Sequence, residues 1–242
     1  MNAFCPNLSN KKVKQEFDEL TSLFGEDAAY FLWDKNNGYS LDKAPNGADS
    51  ILFKSLLDNY NGDRQAALKA KAKVYTSNFT NWFGDWTKED KTDVSKVVDE
   101  NGEPLVVYHA TNKIFNTYKE RDGIHFGSYN TALGVANEKF DPTFDTIEEA
   151  QASIAKGKFR IDQVFLNIRN PKQSKDLGTG WKQLITEGFD GGLYKAVEGD
   201  TSFVVFDSNQ IKSATDNNGN FSTQNDDIYE SKQDIISQQE RE

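Results

Sequence analysis

Leu105-Val106-Val107-Tyr108-His109-Ala110-Thr111 is the stretch on which the reading of this chain turns. Its apolar run ends at a histidine, the pattern of a buried strand with a polar group at its end. Gly123-Ile124-His125-Phe126-Gly127 is a second stretch of this kind and holds the only other histidine. A third, Phe203-Val204-Val205-Phe206, is stopped by Asp207-Ser208-Asn209.

Outward from these strands the chain divides. Residues 1–88 read as a helical module. Val13, Phe17, Leu20 and Phe24 mark one helical face, with Gly25 as its C-terminal cap. A second helix carries Ala28 to Trp33. Asp49 is placed to cap a third helix with Ile51, Leu52, Leu56 and Leu57 inward, and Asp63 a fourth, Arg64 to Tyr75, rich in Ala and Lys. Phe79, Trp82, Phe83 and Trp86 then form an aromatic knot, either a plug packing the helices against the second half of the chain or a docking patch. Residues 87–95 read as a linker.

From Val97 the period changes to that of short strands. Asp99-Glu100-Asn101-Gly102 suits a hairpin turn. Helices are expected from Thr131 to Lys139, from the capping box Thr146-Ile147-Glu148-Glu149 to about Lys156, and from Trp181 to Glu187. Val164 to Ile168, Gly192 to Tyr194 and Phe203 to Phe206 are strand candidates. The fold class is α+β: a small helical module over 1–88, a mixed domain over 96–229, and a polar tail over 230–242. From Ser213 onward, polar residues predict an extended segment with little core of its own.

Composition sets limits. Seventeen Phe, nine Tyr and four Trp can build a core. The net charge of −10, divided as −2 over residues 1–90 and −8 over the rest, argues against nucleic acid as a partner. A single cysteine, Cys5, excludes an intrachain disulfide and any multi-cysteine zinc site. No apolar run approaches the ~18 residues of a spanning helix, so no membrane role and a cytoplasmic location are expected. Asp216, Asn218, Asn220 and Asp227 echo the spacing of a calcium loop, but Phe221 stands where glycine is required. No metal site is expected. Two histidines could act as acid and base on RNA, since each can hold or release a proton near neutral pH, or either could satisfy a core hydrogen bond.

Taken in order, Tyr108-His109-Ala110-Thr111, Gly123 to Ser128, Val164 to Pro171, Gly188 to Tyr194, and Phe203 to Ala214 resemble the ADP-ribosyltransferase-like domain of phage and mobile-element polyvalent proteins. That domain is a distant relative of diphtheria toxin and the poly(ADP-ribose) polymerases. The segment from Leu8 to Asn81-Trp82-Phe83-Gly84-Asp85-Trp86 resembles a helical module that accompanies it in Bacteroidales and their phages. The resemblance implies a split, strongly bent sheet clamping NAD, with NAD as substrate. It implies ADP-ribosyl transfer to a host macromolecule, in host cytoplasm or carried in the virion.

It also implies roles. His109 would bind a ribose hydroxyl and the Ala110 backbone the nicotinamide amide, with Tyr108 and Thr111 beside them. Family members have glycine at the Ala110 position, so its methyl is expected to crowd the ligand. His125 stands where a tyrosine stacks on nicotinamide, next to Phe126, and Tyr129 is the available substitute. Ser202 occupies the position of the family's catalytic glutamate and cannot supply a charge. Glu198, with Asp200 as the next choice, would stabilise the developing cation. Gln210 lies beyond the strand and can only hydrogen-bond. A degenerate binding or virion-cargo protein is the alternative implied by Ala110, His125 and Ser202, and a His109/His125 ribonuclease is the third.

Overall fold

The structure is a computed structural model that describes residues 6–24, 29, 50–119, 123–174, 180–195 and 199–230. Among the described residues the chain opens with α1 (Lys11–Phe24), α2 (Ile51–Asn59), α3 (Arg64–Lys73) and α4 (Ser77–Phe83). α1 buries Phe17 and Leu20 from its 3–4 stripe. Gly25 and the expected helix from Ala28 to Trp33 lie outside the described residues, except for the buried Ala29. The cap of α2 is Ser50 rather than Asp49: its Oγ accepts the Phe53 N–H at 3.0 Å, the reach an N-cap oxygen needs. Asp63 caps α3 as expected, accepting from Ala66 N at 3.1 Å. α4 ends at Gly84, whose φ of 96° and 2.3 Å clearance between a would-be Cβ and the Asp93 carbonyl admit only glycine.

The aromatic knot is a plug. Phe79 stacks on Phe83 at 5.0 Å and stands edge-on to Phe165 at 5.3 Å and Phe221 at 4.9 Å. Trp82 Nε1 donates to the Asn209 carbonyl and Trp86 Nε1 to that of Val74, each at 3.0 Å. All four rings are buried, which removes the docking-patch reading.

Among the described residues the second half holds seven strands: β1 (Val107–Thr111), β2 (Ile124–Phe126), β3 (Arg160–Leu166), β4 (Pro171–Gln173), β5 (Gly191–Lys195), β6 (Thr201–Val205) and β7 (Ile211–Ser213). They form two sheets, β1-β3-β7 and β2-β6-β5-β4, antiparallel except for β4 against β5. Pro171 opens the edge strand β4, where its missing N–H costs no ladder bond. The sheets touch at one antiparallel bridge: Tyr108 N donates to Gly127 O at 2.9 Å, and Gly127 N to Tyr108 O at 3.1 Å. Helices α5 (Tyr129–Lys139), α6 (Ile147–Ala155) and α7 (Trp181–Thr186) complete the mixed α+β half. The capping box at Thr146 and Glu149 is present as read. α5 begins two residues earlier than expected, because Ser128 Oγ accepts the Thr131 N–H.

Three sequence expectations are corrected, at His109, at the linker and after Ser213. His109 is the centre of β1, not its end. The expected hairpin is present in short form: Val98 and Pro104 form an antiparallel bridge, Leu105 N donates to Val97 O at 3.1 Å, and Asp99 Oδ1 holds the turn by accepting from Asn101 N and Glu103 N at 2.8 and 3.0 Å. The linker ends in a buried stitch, where Ser95 Oγ donates to Leu166 O at 2.7 Å and accepts from Ile168 N at 3.1 Å. The segment after Ser213 is packed: Ala214, Phe221 and Ile228 are buried, and Lys212 Nζ meets Glu230 Oε1 at 2.5 Å, both side chains buried. Order therefore extends one residue into the expected tail, and 231–242 lie outside the described residues.

The helices and strands share one core, since Phe165, Val106, Ala214 and Phe221 belong to the cluster around the knot. A buried ion pair ties them further. Lys71 Nζ lies 2.9 Å from Glu103 Oε1 with both side chains 0% exposed, and the Ser50 hydroxyl donates to Glu103 at 2.5 Å while accepting from Lys71 at 2.6 Å. Among the described residues no helix is long and apolar enough to cross a membrane.

Candidate active site

Beyond the Tyr108–Gly127 bridge β1 and β2 belong to different sheets, and a cavity of about 1040 Å³ lies where they part. Tyr108, His109, Ala110, Thr111, His125, Phe126 and Ser202 all line it, so strands distant in sequence converge on it. The volume stands at the top of the range of about 300–1,000 Å³ typical of ligand pockets.

His109 crosses the gap. Its Nδ1 lies 2.7 Å from the main-chain oxygen of His125. A carbonyl oxygen only accepts, so Nδ1 carries the proton and Nε2 of the neutral ring is an acceptor. Burial pushes the His109 pKa down. The His125 carbonyl and the Asp162 charge oppose this, while the Lys139 and Arg160 charges add to it. The ring is therefore neutral at pH 7. Tyr118 stands edge-on to it at 5.3 Å and donates to Asp162 Oδ2 at 2.5 Å, and Arg160 Nε holds the other Asp162 oxygen at 2.9 Å. Tyr118 and Asp162 are a support that the sequence hid: Tyr118 sits in a loop without a periodic signal, and Asp162 looks like a solvent-facing strand residue.

His125 Nδ1 lies 3.2 Å from the Tyr194 hydroxyl, and the rings meet edge-on at 5.8 Å. Its pKa is lowered by burial, then by the His109 and Lys139 charges. Ser202 sits beside this pair within β6, completely buried; its hydroxyl neighbours the Tyr194 phenol, a contact that partly offsets the burial raising the Tyr194 pKa, and it has no other partner in good geometry. Gly127 makes this approach possible: a Cβ there would lie 2.9 Å from Thr131 Cγ2 and 3.2 Å from Ser202 Oγ.

Ala110 lines the cavity and also belongs to the core cluster with Ala132, Leu133 and Ala136 of α5. Strand alternation sets its methyl on the face of β1 opposite the His109 side chain, so it does not crowd that ring. Tyr129 is not among the lining residues; it packs edge-on against Tyr108 at 5.4 Å, because as the first residue of α5 it faces the core. Gln210 lies outside the cavity too. Its Oε1 accepts from Phe206 N and Asp207 N at 3.0 and 2.9 Å, and its Nε2 donates to Asn167 O and Asp190 O at 2.8 and 2.7 Å. That fully satisfied amide holds a turn and has no capacity left for a ligand.

The carboxylates divide three ways. Glu198 lies outside the described residues. Asp200 Oδ2 accepts the Ser128 hydroxyl at 2.7 Å at the start of α5, a position that favours a negative charge, so it is committed there. Glu138 does line the cavity; with Thr131 and Val135 it shows the 3–4 spacing of one helix face, a signal readable once α5 is known to cover β1. Among the described residues, no group of three or more His, Cys, Asp or Glu is placed to hold a metal ion. Compared with protein-family models, with curated proteins and with solved structures, the chain matches none.

Proposed function

We propose that this chain is an NAD-dependent mono-ADP-ribosyltransferase of phage or mobile-element origin that modifies a host macromolecule, with its two sheets as the halves of a split clamp. The observation that carries the reading is His109: a neutral imidazole, its Nδ1 proton fixed on the His125 carbonyl, inside a large cavity between two sheets. Such a ring accepts a hydrogen bond from a ribose hydroxyl and orients the sugar. His125, Phe126 and Tyr194 supply ring faces and edges for nicotinamide. The buried Ser202 hydroxyl, beside Tyr194, lines the same cavity and can hydrogen-bond a ligand.

In the reaction, the bond between ribose C1′ and the nicotinamide nitrogen breaks, and its electron pair leaves with nicotinamide. Positive charge develops on C1′ and the ring oxygen. An acceptor hydroxyl, amine or carboxylate attacks C1′, and any proton it bears passes to solvent. A carboxylate near C1′ lowers this barrier most. Glu198 remains the assigned group, and Glu138 is the carboxylate that lines the cavity.

Ser202 favours a second reading, a binding protein or virion component that holds a dinucleotide without cleaving it. A ribonuclease is less well supported: both imidazoles have lowered pKa values, so the protonated acid partner it requires is scarce at neutral pH. The test is incubation of the full chain with NAD, following free nicotinamide by one-dimensional NMR beside His109→Ala. Release abolished by the substitution supports transfer or hydrolysis. Saturable NAD broadening without release supports the binding protein. Neither result in both proteins removes NAD from the account.

A further inference from the structure

The charge of the cavity runs against that of the chain. The whole sequence carries −10, yet the described cavity lining holds Lys113, Lys119 and Lys139 against one carboxylate, Glu138. A cleft lined by one sign of charge concentrates ligands of the other sign.

Two of the lysines project from a loop that is held in place. In the 112–119 segment, the Arg160 guanidinium lies 4.8 Å over the Phe115 ring and donates to the Phe115 carbonyl at 3.0 Å. Ile228 N donates to Asn116 O at 2.9 Å. The Ser208 hydroxyl donates to the Tyr118 carbonyl, and the Tyr118 phenol is bound to Asp162. The loop is thus anchored at Phe115, Asn116 and Tyr118, while Lys113 and Lys119 are exposed. Ile114, between them in the same loop, is 95% exposed, the barest large apolar side chain described. The third lysine, Lys139, enters from the last turn of α5. A preorganised rim of cations loses little side-chain and loop freedom on binding. Lysine is a point charge suited to phosphate oxygens.

We propose that Lys113, Lys119 and Lys139 form a phosphate-binding rim, and that the cavity takes a nucleoside diphosphate or a molecule containing one. The phosphates lie at the rim, and the sugar and ring lie inward against Phe115, Tyr118 and His109. This rests on the reading above only for what lies beyond the second phosphate, since the rim binds a diphosphate whether or not a glycosidic bond is cleaved.

Isothermal titration calorimetry of the full chain with ADP and with adenosine tests it, beside Lys113→Glu/Lys119→Glu and Lys139→Gln. ADP is expected to bind at least about tenfold more tightly than adenosine, an advantage that shrinks as salt is raised. The double reversal should weaken ADP by about tenfold or more and leave adenosine within about twofold. All three lysines are exposed, so circular dichroism should match the wild type. The proposal is overturned if ADP and adenosine bind alike, if the double reversal leaves ADP within about twofold, or if a single-stranded oligonucleotide outcompetes ADP. ADP binding that depends on the lysines, without nicotinamide release from NAD, retains the rim and removes the transferase. Release with lysine-independent ADP binding does the reverse.

Discussion

The aromatic knot and the cavity are built alike and finished differently. Both use rings carried by short elements against the first sheet. Around Phe79 the rings interlock, and both indole N–H groups reach carbonyls. Around His109 the rings also meet one another, at 5.3 Å to Tyr118 and 5.4 Å to Phe126, but they border a gap of about 1040 Å³, and burial holds two imidazoles toward the neutral form. A dry, fully satisfied cluster maximises stability. A cluster with space gives up stability to leave room for a ligand. The knot is where this chain holds together, and the cavity is where its function is proposed to lie.

The contrast breaks most visibly at the knot. Trp82→Ala should destabilise the fold by about 3–5 kcal/mol, since it empties a buried volume and frees the Asn209 carbonyl. Urea unfolding followed by fluorescence measures it. A loss under about 1 kcal/mol would mean the knot is not the structural centre. Glu103→Gln should cost about 3–5 kcal/mol, because it leaves the buried Lys71 charge without its carboxylate. Retained stability would show that Lys71 finds another partner or loses its proton.

The cavity predicts smaller structural effects with a pH signature. The folded pKa values of His109 and His125 lie below the ordinary value of about 6.5, so the unfolded chain binds more protons just below that pH. Their part of the stability is therefore complete above about pH 6.5, falls as pH drops toward the folded values, and is level below them. His109→Gln should flatten that segment of a stability-versus-pH curve and leave stability at pH 8 within about 1 kcal/mol. An unchanged slope would mean that the ring is not held neutral. Ser202→Ala should be the mildest, within about 0.5 kcal/mol, because the hydroxyl it removes makes only a poorly aligned contact with Tyr194. A larger loss would mean that Ser202 is already well paired and is not waiting for a ligand.

Much of this was legible in the sequence where one residue type in one local pattern decides the outcome. The Asp63 cap, the Thr146–Glu149 capping box and the stripe of α1 are of this kind. Tertiary context hid the rest. Lys71, in a polar-looking helix, is buried because Glu103 from a distant turn meets it. The polar segment after Ser213 folds because Phe221 enters the knot and Lys212 binds Glu230. Gln210 lies near the site in sequence yet is consumed by four main-chain bonds. Asp200 is taken by Ser128. Side chains of this sort are assigned by partners that no local window contains.

The central claim is that His109 presents a neutral, unprotonated Nε2 to a nucleotide in the cavity. Long-range proton–nitrogen NMR of the two histidines, recorded with and without NAD, tests it most directly. The account predicts that His109 carries its proton on Nδ1 at pH 7 and that its Nε2 resonance moves saturably with NAD, while the Gln210 side-chain amide stays still. A proton on Nε2, or a His109 signal indifferent to NAD, would contradict it.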